Sequence, residues 1–252
     1  MKTSFKIFSF IFFISSQIFS QQFSTGSTEW LVDMFFAKSS FPEKANYYSG
    51  EMLNFVNDPT IGEKLAGNAI VNFHQIKTAQ SEAVFKIEVE QDKKIIDFYC
   101  FLSEQDNEWT INAVRRFLLP AFIYTVRDSL SQLNTLSSND SSLFHTLKLF
   151  TASDEELMIF LETNLKNYQE LVSAFNENVK DKIDQYISSI GCNAIYADTK
   201  YPGCVFIQIQ KFENMECGFI KKTESASLPE ISINEFIYIE EVLTNWYVYR
   251  IM

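Results

Sequence analysis

Apolar and polar positions alternate over residues 83–90. Ala83, Phe85, Ile87 and Val89 fall on one side, and Val84, Lys86, Glu88 and Glu90 on the other. Successive side chains of a strand point to opposite faces, so a period of two predicts a half-buried strand. A polar turn at Gln91-Asp92-Lys93 leads into a second, more apolar strand over 94–103. A second polar turn, over 104–108, leads into a third strand over 109–117. A weaker pattern over 69–78 adds a strand ahead of them. Together these segments predict an antiparallel meander.

The period changes on either side of the meander. Ser27 or Thr28 can cap a helix over 28–38 that places Trp30, Leu31, Met34 and Phe35 on one face. Tyr47, Tyr48, Met52, Leu53, Phe55 and Val56 suggest an irregular helical stretch ended by Asp58-Pro59. Residues 61–65 add a turn. After the meander, Pro120 opens a helix with Ile123, Val126, Leu130 and Leu133 at helical spacing. Residues 137–142 read as a polar loop and the boundary between two halves, 21–137 and 138–252. A short helix over 143–150 follows. Ser153 and Glu156 form a capping box for a long helix lined by Leu157, Leu161, Leu165, Tyr168, Leu171 and Phe175. A further helix runs to Gly191, its natural stop. Strands are then expected over 192–197, 204–212 and 215–222, with a hairpin over 236–243 and 246–251 around Thr244-Asn245. Ser232 and Glu235 offer an alternative, a short helical turn. The expected class is α+β: helices on a curved antiparallel meander, then a helical pair and a second antiparallel sheet. The second half repeats the first in outline, either as two similar lobes or as a coincidence of element order.

Helices followed by a four-strand meander, with the last strand reading Glu108-Trp109-Thr110-Ile111-Asn112-Ala113-Val114-Arg115-Arg116, resemble the NTF2-like (cystatin-like) α+β roll over residues 28–117. The resemblance implies a fold and a cone-shaped pocket. It implies no activity, because that family carries no universal catalytic signature.

Composition narrows the functional classes. With 25 Phe, 11 Tyr and 3 Trp among 252 residues, much of the core must be aromatic. The net charge of -11 lacks the field that phosphate backbones or anionic membranes require. Residues 1–20 have a positive start at Lys2 and Lys6, an apolar run over 7–14 and a polar, small-residue exit. This is the layout of a secretory signal peptide cut after Ser20. The run is too short to span a membrane. A secreted or periplasmic protein without a stable transmembrane anchor is therefore expected.

Phosphate loops, dinucleotide fingerprints, nucleophile elbows and zinc-protease helices are absent from the sequence. His74 and His145 are the only histidines and sit in unrelated segments, so neither a metal nor a cofactor is expected. Cys100, Cys192, Cys204 and Cys217 form no C-x-x-C pair, and register around Glu213-Asn214 sets Cys217 opposite Gln210. A bridge among Cys192, Cys204 and Cys217 stays open.

One polar constellation stands out. Asp97 and Tyr99 share a face of their strand, Arg115 is placed on a face with Trp109 and Ile111, and His74 lies on the first strand. If the roll closes, these four can line its pocket, with Asp97 and His74 as acid and base and Tyr99 orienting a ligand. The competing reading is a surface ion pair between Asp97 and Arg115. Asp154-Glu155-Glu156 reads as acids favoured by a helix dipole, and Glu240-Glu241 as a solvated strand end. The leading functional expectation is an exported, non-catalytic module binding a protein or small molecule. The alternatives are a small-molecule enzyme using that pocket and a structural envelope component.

Overall fold

The computed structural model describes residues 23–252. The expected leader and its cut after Ser20 lie outside them. Helix α1 (Thr28–Phe36) starts at Ser27, whose hydroxyl accepts from the Trp30 amide, and it buries Leu31, Val32, Phe35 and Phe36. The irregular stretch after it forms two 3-10 turns, Lys44–Tyr47 and Gly50–Phe55. Between them Tyr48 bridges to Ile111, which breaks the helical run. A one-turn helix α2 (Ile61–Lys64) carries a Thr60–Glu63 capping box.

Strands β1 (Ile70–Thr78), β2 (Glu82–Gln91), β3 (Lys94–Gln105) and β4 (Glu108–Arg115) then pair antiparallel in sequence order. The inner face of this sheet presents Phe85, Ile87, Val89, Cys100, Leu102 and Ile111 to α1 and the 3-10 turns as one apolar cluster. The outer face presents Val84, Tyr99, Phe101 and Ala113, and these belong to a larger core shared with residues 119–249. The sheet is therefore buried on both faces, and the main core crosses the boundary expected near residue 137. A bulge in β4 pairs Phe101 with Ala113 but Leu102 with Ile111, leaving Asn112 extra. One added residue reverses side-chain parity. Ala113 and Arg115 thus face outward while Ile111 and Trp109 face inward, which corrects the placement of Arg115 on the face of Trp109 and Ile111.

Helix α3 (Ala121–Ser131) leads to α4 (Ser138–Phe150). The polar stretch 137–142 is no loop. Ser137 caps α4, accepting from the Asp140 amide, so its serines and aspartate form the helix's first turn. The capping box of Ser153 and Glu156 starts α5 (Asp154–Asn176), and α6 (Lys180–Ile190) stops at Gly191, which sits at φ 72, where glycine has no steric penalty.

The second sheet consists of β5 (Ala194–Ala197), β6 (Cys204–Phe212), β7 (Met215–Lys222), β8 (Phe236–Leu243) and β9 (Trp246–Ile251), in the order β5-β6-β7-β9-β8. That order differs from the sequential first sheet, so the likeness of the halves stops at element order. Residues 233–235 make a turn and a bend before β8, with Ile231 bridged to Phe236, and no helix forms there. Cys217 lies opposite Gln210, and all four cysteines are buried free thiols. No helix among the described residues is long and apolar enough to cross a membrane.

Candidate functional site

Asp97 and Tyr99 stand two apart on β3, so both project from the outer face of the first sheet. The start of α5 and the end of β9 cover that face. Asp154, first residue of α5, is wholly buried. Its Oδ2 accepts from the Tyr99 hydroxyl at 2.7 Å, and its Oδ1 from Arg250 Nε at 2.6 Å. The Arg250 guanidinium also donates to the Ala152 carbonyl at 2.8 Å and lies over the Phe117 ring. Asp97 Oδ2 accepts from the Asp154 amide at 3.0 Å. Lys86 projects from β2 into the same layer, 2.8 Å from Glu88 and 4.0 Å from Asp154. Asp154, Glu155 and Glu156 are first-turn acids of α5, as expected, and Asp154 is in addition the centre of a buried network. Two cations and a tyrosine meet it, as burial of a carboxylate requires pairing and hydrogen bonds to offset its desolvation.

Asp97 is the unsatisfied member. Its Oδ1 is buried and has no hydrogen-bond partner. Burial, reinforced by the neighbouring Asp154 carboxylate, pushes the Asp97 carboxyl up to about 7, while Arg250 acts in the opposite direction. Burial alone would push Lys86 down, but Asp154, Glu88 and Asp97 outweigh it and hold its ammonium above the usual lysine range. Near neutral pH, Asp97 is therefore divided between a form that donates a hydrogen bond and one that only accepts.

Asp97, Phe117, Ser153 and Arg250 line a polar cleft of about 60 Å³. The cleft shares Ile95, Ile96, Arg116, Tyr124, Thr151 and Ser153 with a wider one of about 430 Å³, whose rim carries Lys93, Lys94, Arg116 and Arg127. Among the described residues Lys93, Lys94 and Arg116 make no ion pair. The one acid on the rim, Glu156, is occupied by the Ser153 amide at 2.8 Å. Lys93 sits in the β2–β3 turn at φ 63, a left-handed conformation that glycine adopts more readily. Across Arg127 and Thr151 lies a third, apolar cleft of about 660 Å³, walled by Phe144, Leu149, Ile159 and Phe160.

The other sequence candidates sit elsewhere. His74 also projects outward but bonds Glu240 at 3.0 Å, and that hydrogen bond raises its pKa. It is not paired with Asp97. Glu240 in turn accepts from Tyr238 at 2.9 Å, so it is a junction between the halves and not a solvated strand end. Glu241 is exposed, as expected of a solvated strand end, and accepts from the Asn245 amide and the Tyr247 hydroxyl. Arg115 grips Glu51 through two bonds of 2.8 and 2.6 Å and donates to the Ile233 carbonyl. The Asp97–Arg115 ion pair does not form. The first half has its own cavity, about 260 Å³ between Phe35, Tyr48, Met52 and Phe98, and of the four candidates only Arg115 lines it.

Sequence reasoning missed Asp154, Arg250, Lys86 and the rim cations. Arg250 left a trace, a single charge inside the apolar strand Trp246–Ile251, which signals a buried partner. The convergence of Lys93, Lys94, Arg116 and Arg127 left none, because they come from a turn, a strand, a strand end and a helix. No family model, no curated protein and no solved structure matches this chain.

Proposed function

We propose that this chain is an exported, non-catalytic binding module whose ligand is a small organic anion held in the cleft between β3 and the start of α5. The observation that carries the reading is the set of three cations without an ion pair among the described residues, Lys93, Lys94 and Arg116, on the rim of that cleft in a chain of net charge -11, beside Arg127, which Asp128 pairs. Clustered, unpaired charge of the minority sign focuses a local field and marks a binding region. The leader-like residues 1–20 support export to the periplasm or beyond. The four-stranded meander under N-terminal helices supports reading residues 28–117 as an NTF2-like roll, with the binding cleft on the sheet's outer face.

Asp97, half-ionised near neutrality, favours proton transfer as a second role. Binding is the stronger reading, because no histidine faces Asp97. His74 is engaged by Glu240, and among the described residues Asp97's only hydrogen bond is to the Asp154 amide. Calorimetric titration with hexanoate tests the proposal. The wild type is expected to bind hexanoate, more weakly as salt screens the rim. The pair Lys94→Glu and Arg116→Glu should weaken binding at least about tenfold, the scale of two lost charge-assisted contacts. No measurable binding, or equal binding by the double variant, would overturn it.

A further inference from the structure

We infer that the ligand is an amphipathic anion with an alkyl tail of the long-chain carboxylate class. Its head would meet the cationic rim, and its tail would lie along the apolar cleft walled by α4 and α5. This rests on the binding reading above and extends it to a second cavity.

The two clefts adjoin each other. Arg127, Thr151 and Glu156 line both. Arg127 is fixed at the junction, donating to Thr151 Oγ1 at 2.7 Å and lying over the Tyr124 ring. On one side of it stand Lys93, Lys94 and Arg116. On the other stand Phe144, Leu149, Ile159 and Phe160. The apolar side is open, with Ile159 54% exposed. Exposed apolar surface beside a rim where four cations outnumber the one carboxylate, Glu156, is complementary to a molecule with an apolar end and an anionic end. The volume of about 660 Å³ falls in the roughly 300–1,000 Å³ range of small-ligand sites. The net charge of -11 disfavours an anionic bilayer as the source of such a molecule, so a free monomer is the occupant.

Calorimetry with dodecanoate below its micellar concentration, beside hexanoate and dodecanol, tests the inference. Dodecanoate is expected to bind at least about thirtyfold tighter than hexanoate, since six further methylenes would bury roughly half their surface. Dodecanol, with the same tail and no charge, should bind at least about tenfold weaker than dodecanoate. The exposed-site variant Ile159→Ser should bind dodecanoate at least about fivefold more weakly than the wild type, its urea-unfolding midpoint reporting that it folds, and equal dodecanoate affinity in this variant overturns the tail's place. Equal affinity for hexanoate and dodecanoate overturns the tail and leaves the anion site standing. Equal affinity for dodecanol and dodecanoate overturns the head. Binding of neither acid removes the anion reading as well. Co-sedimentation with phosphatidylglycerol vesicles that dodecanoate does not displace would assign the clefts to a membrane and overturn the monomer.

Discussion

The two faces of the first sheet both have buried centres, and those centres are differently built. The buried centre of the inner face is apolar, and Ile87 in it is 0% exposed, with Gln75 and Glu104 at its margins. The outer face carries Lys86, Asp97 and Tyr99 among its apolar residues, yet Tyr99 is also 0% exposed. Area removed from water stabilises the inner face, and hydrocarbon tolerates small shifts of its partners. The outer face is stable only as a connected set, because each donor or acceptor left over costs its full desolvation. The consequence is positional. The inner face holds α1 on the sheet, whereas the outer face specifies where α5 and β9 must sit, and so places the cleft.

The largest test of that contrast is Asp154→Ala. It leaves Arg250 buried without its carboxylate and should cost roughly 3–5 kcal/mol in urea unfolding. Replacing both partners, Asp154→Leu with Arg250→Met, should recover part of that loss, because Arg250 is no longer stranded while the Tyr99 hydroxyl still lacks its acceptor. If the double variant is no more stable than the single, the network is not the reason.

The second test is pH. An acid raised in the folded state contributes stability that is full below its unfolded value of 3.8 and lost as pH climbs through its folded value of about 7. Wild-type stability should therefore carry a falling component of at most ~1.4 kcal/mol per pH unit across that window. In Asp97→Asn the carboxamide oxygen can still accept from the Asp154 amide, and the component should vanish. An unchanged slope would show that Asp97 does not titrate there.

On the inner face Ile87→Val should cost about 0.5–1.5 kcal/mol, with the same value at every pH and salt concentration. At the turn, Lys93→Gly should add about 1 kcal/mol by relieving a left-handed residue. The same change should weaken hexanoate binding, a cost of stability kept for charge at the rim. The smallest effect is expected from Glu51→Ala. Its carboxylate is held below the usual range by the Arg115 hydrogen bond, but it stands half in solvent, so the loss should stay under ~1 kcal/mol and shrink in salt.

The meander, its polar turns and the α5 capping box were legible because each is written in residues within a few positions of one another. The alternation correctly put Asp97 and Tyr99 on a common face. It erred at Arg115, where a single extra residue at Asn112 reversed the count. It also erred at 137–142, where serines and an aspartate that suit a loop suit a helix's first turn as well. No local pattern could tell that the polar face of the meander is covered, since cover comes from α5 and β9, more than fifty residues further along the chain.

By itself, then, the sequence determined the elements, their α+β class and the parity of most strands, because those follow from local sterics and hydrophobic period. Only the tertiary structure decided that the polar side of the first sheet is interior, that Asp154 rather than His74 meets Asp97 and Tyr99, and that four scattered cations share one rim. Burial and proximity are set by which distant segment packs where, and a carboxylate's chemistry follows its surroundings more than its neighbours in the chain.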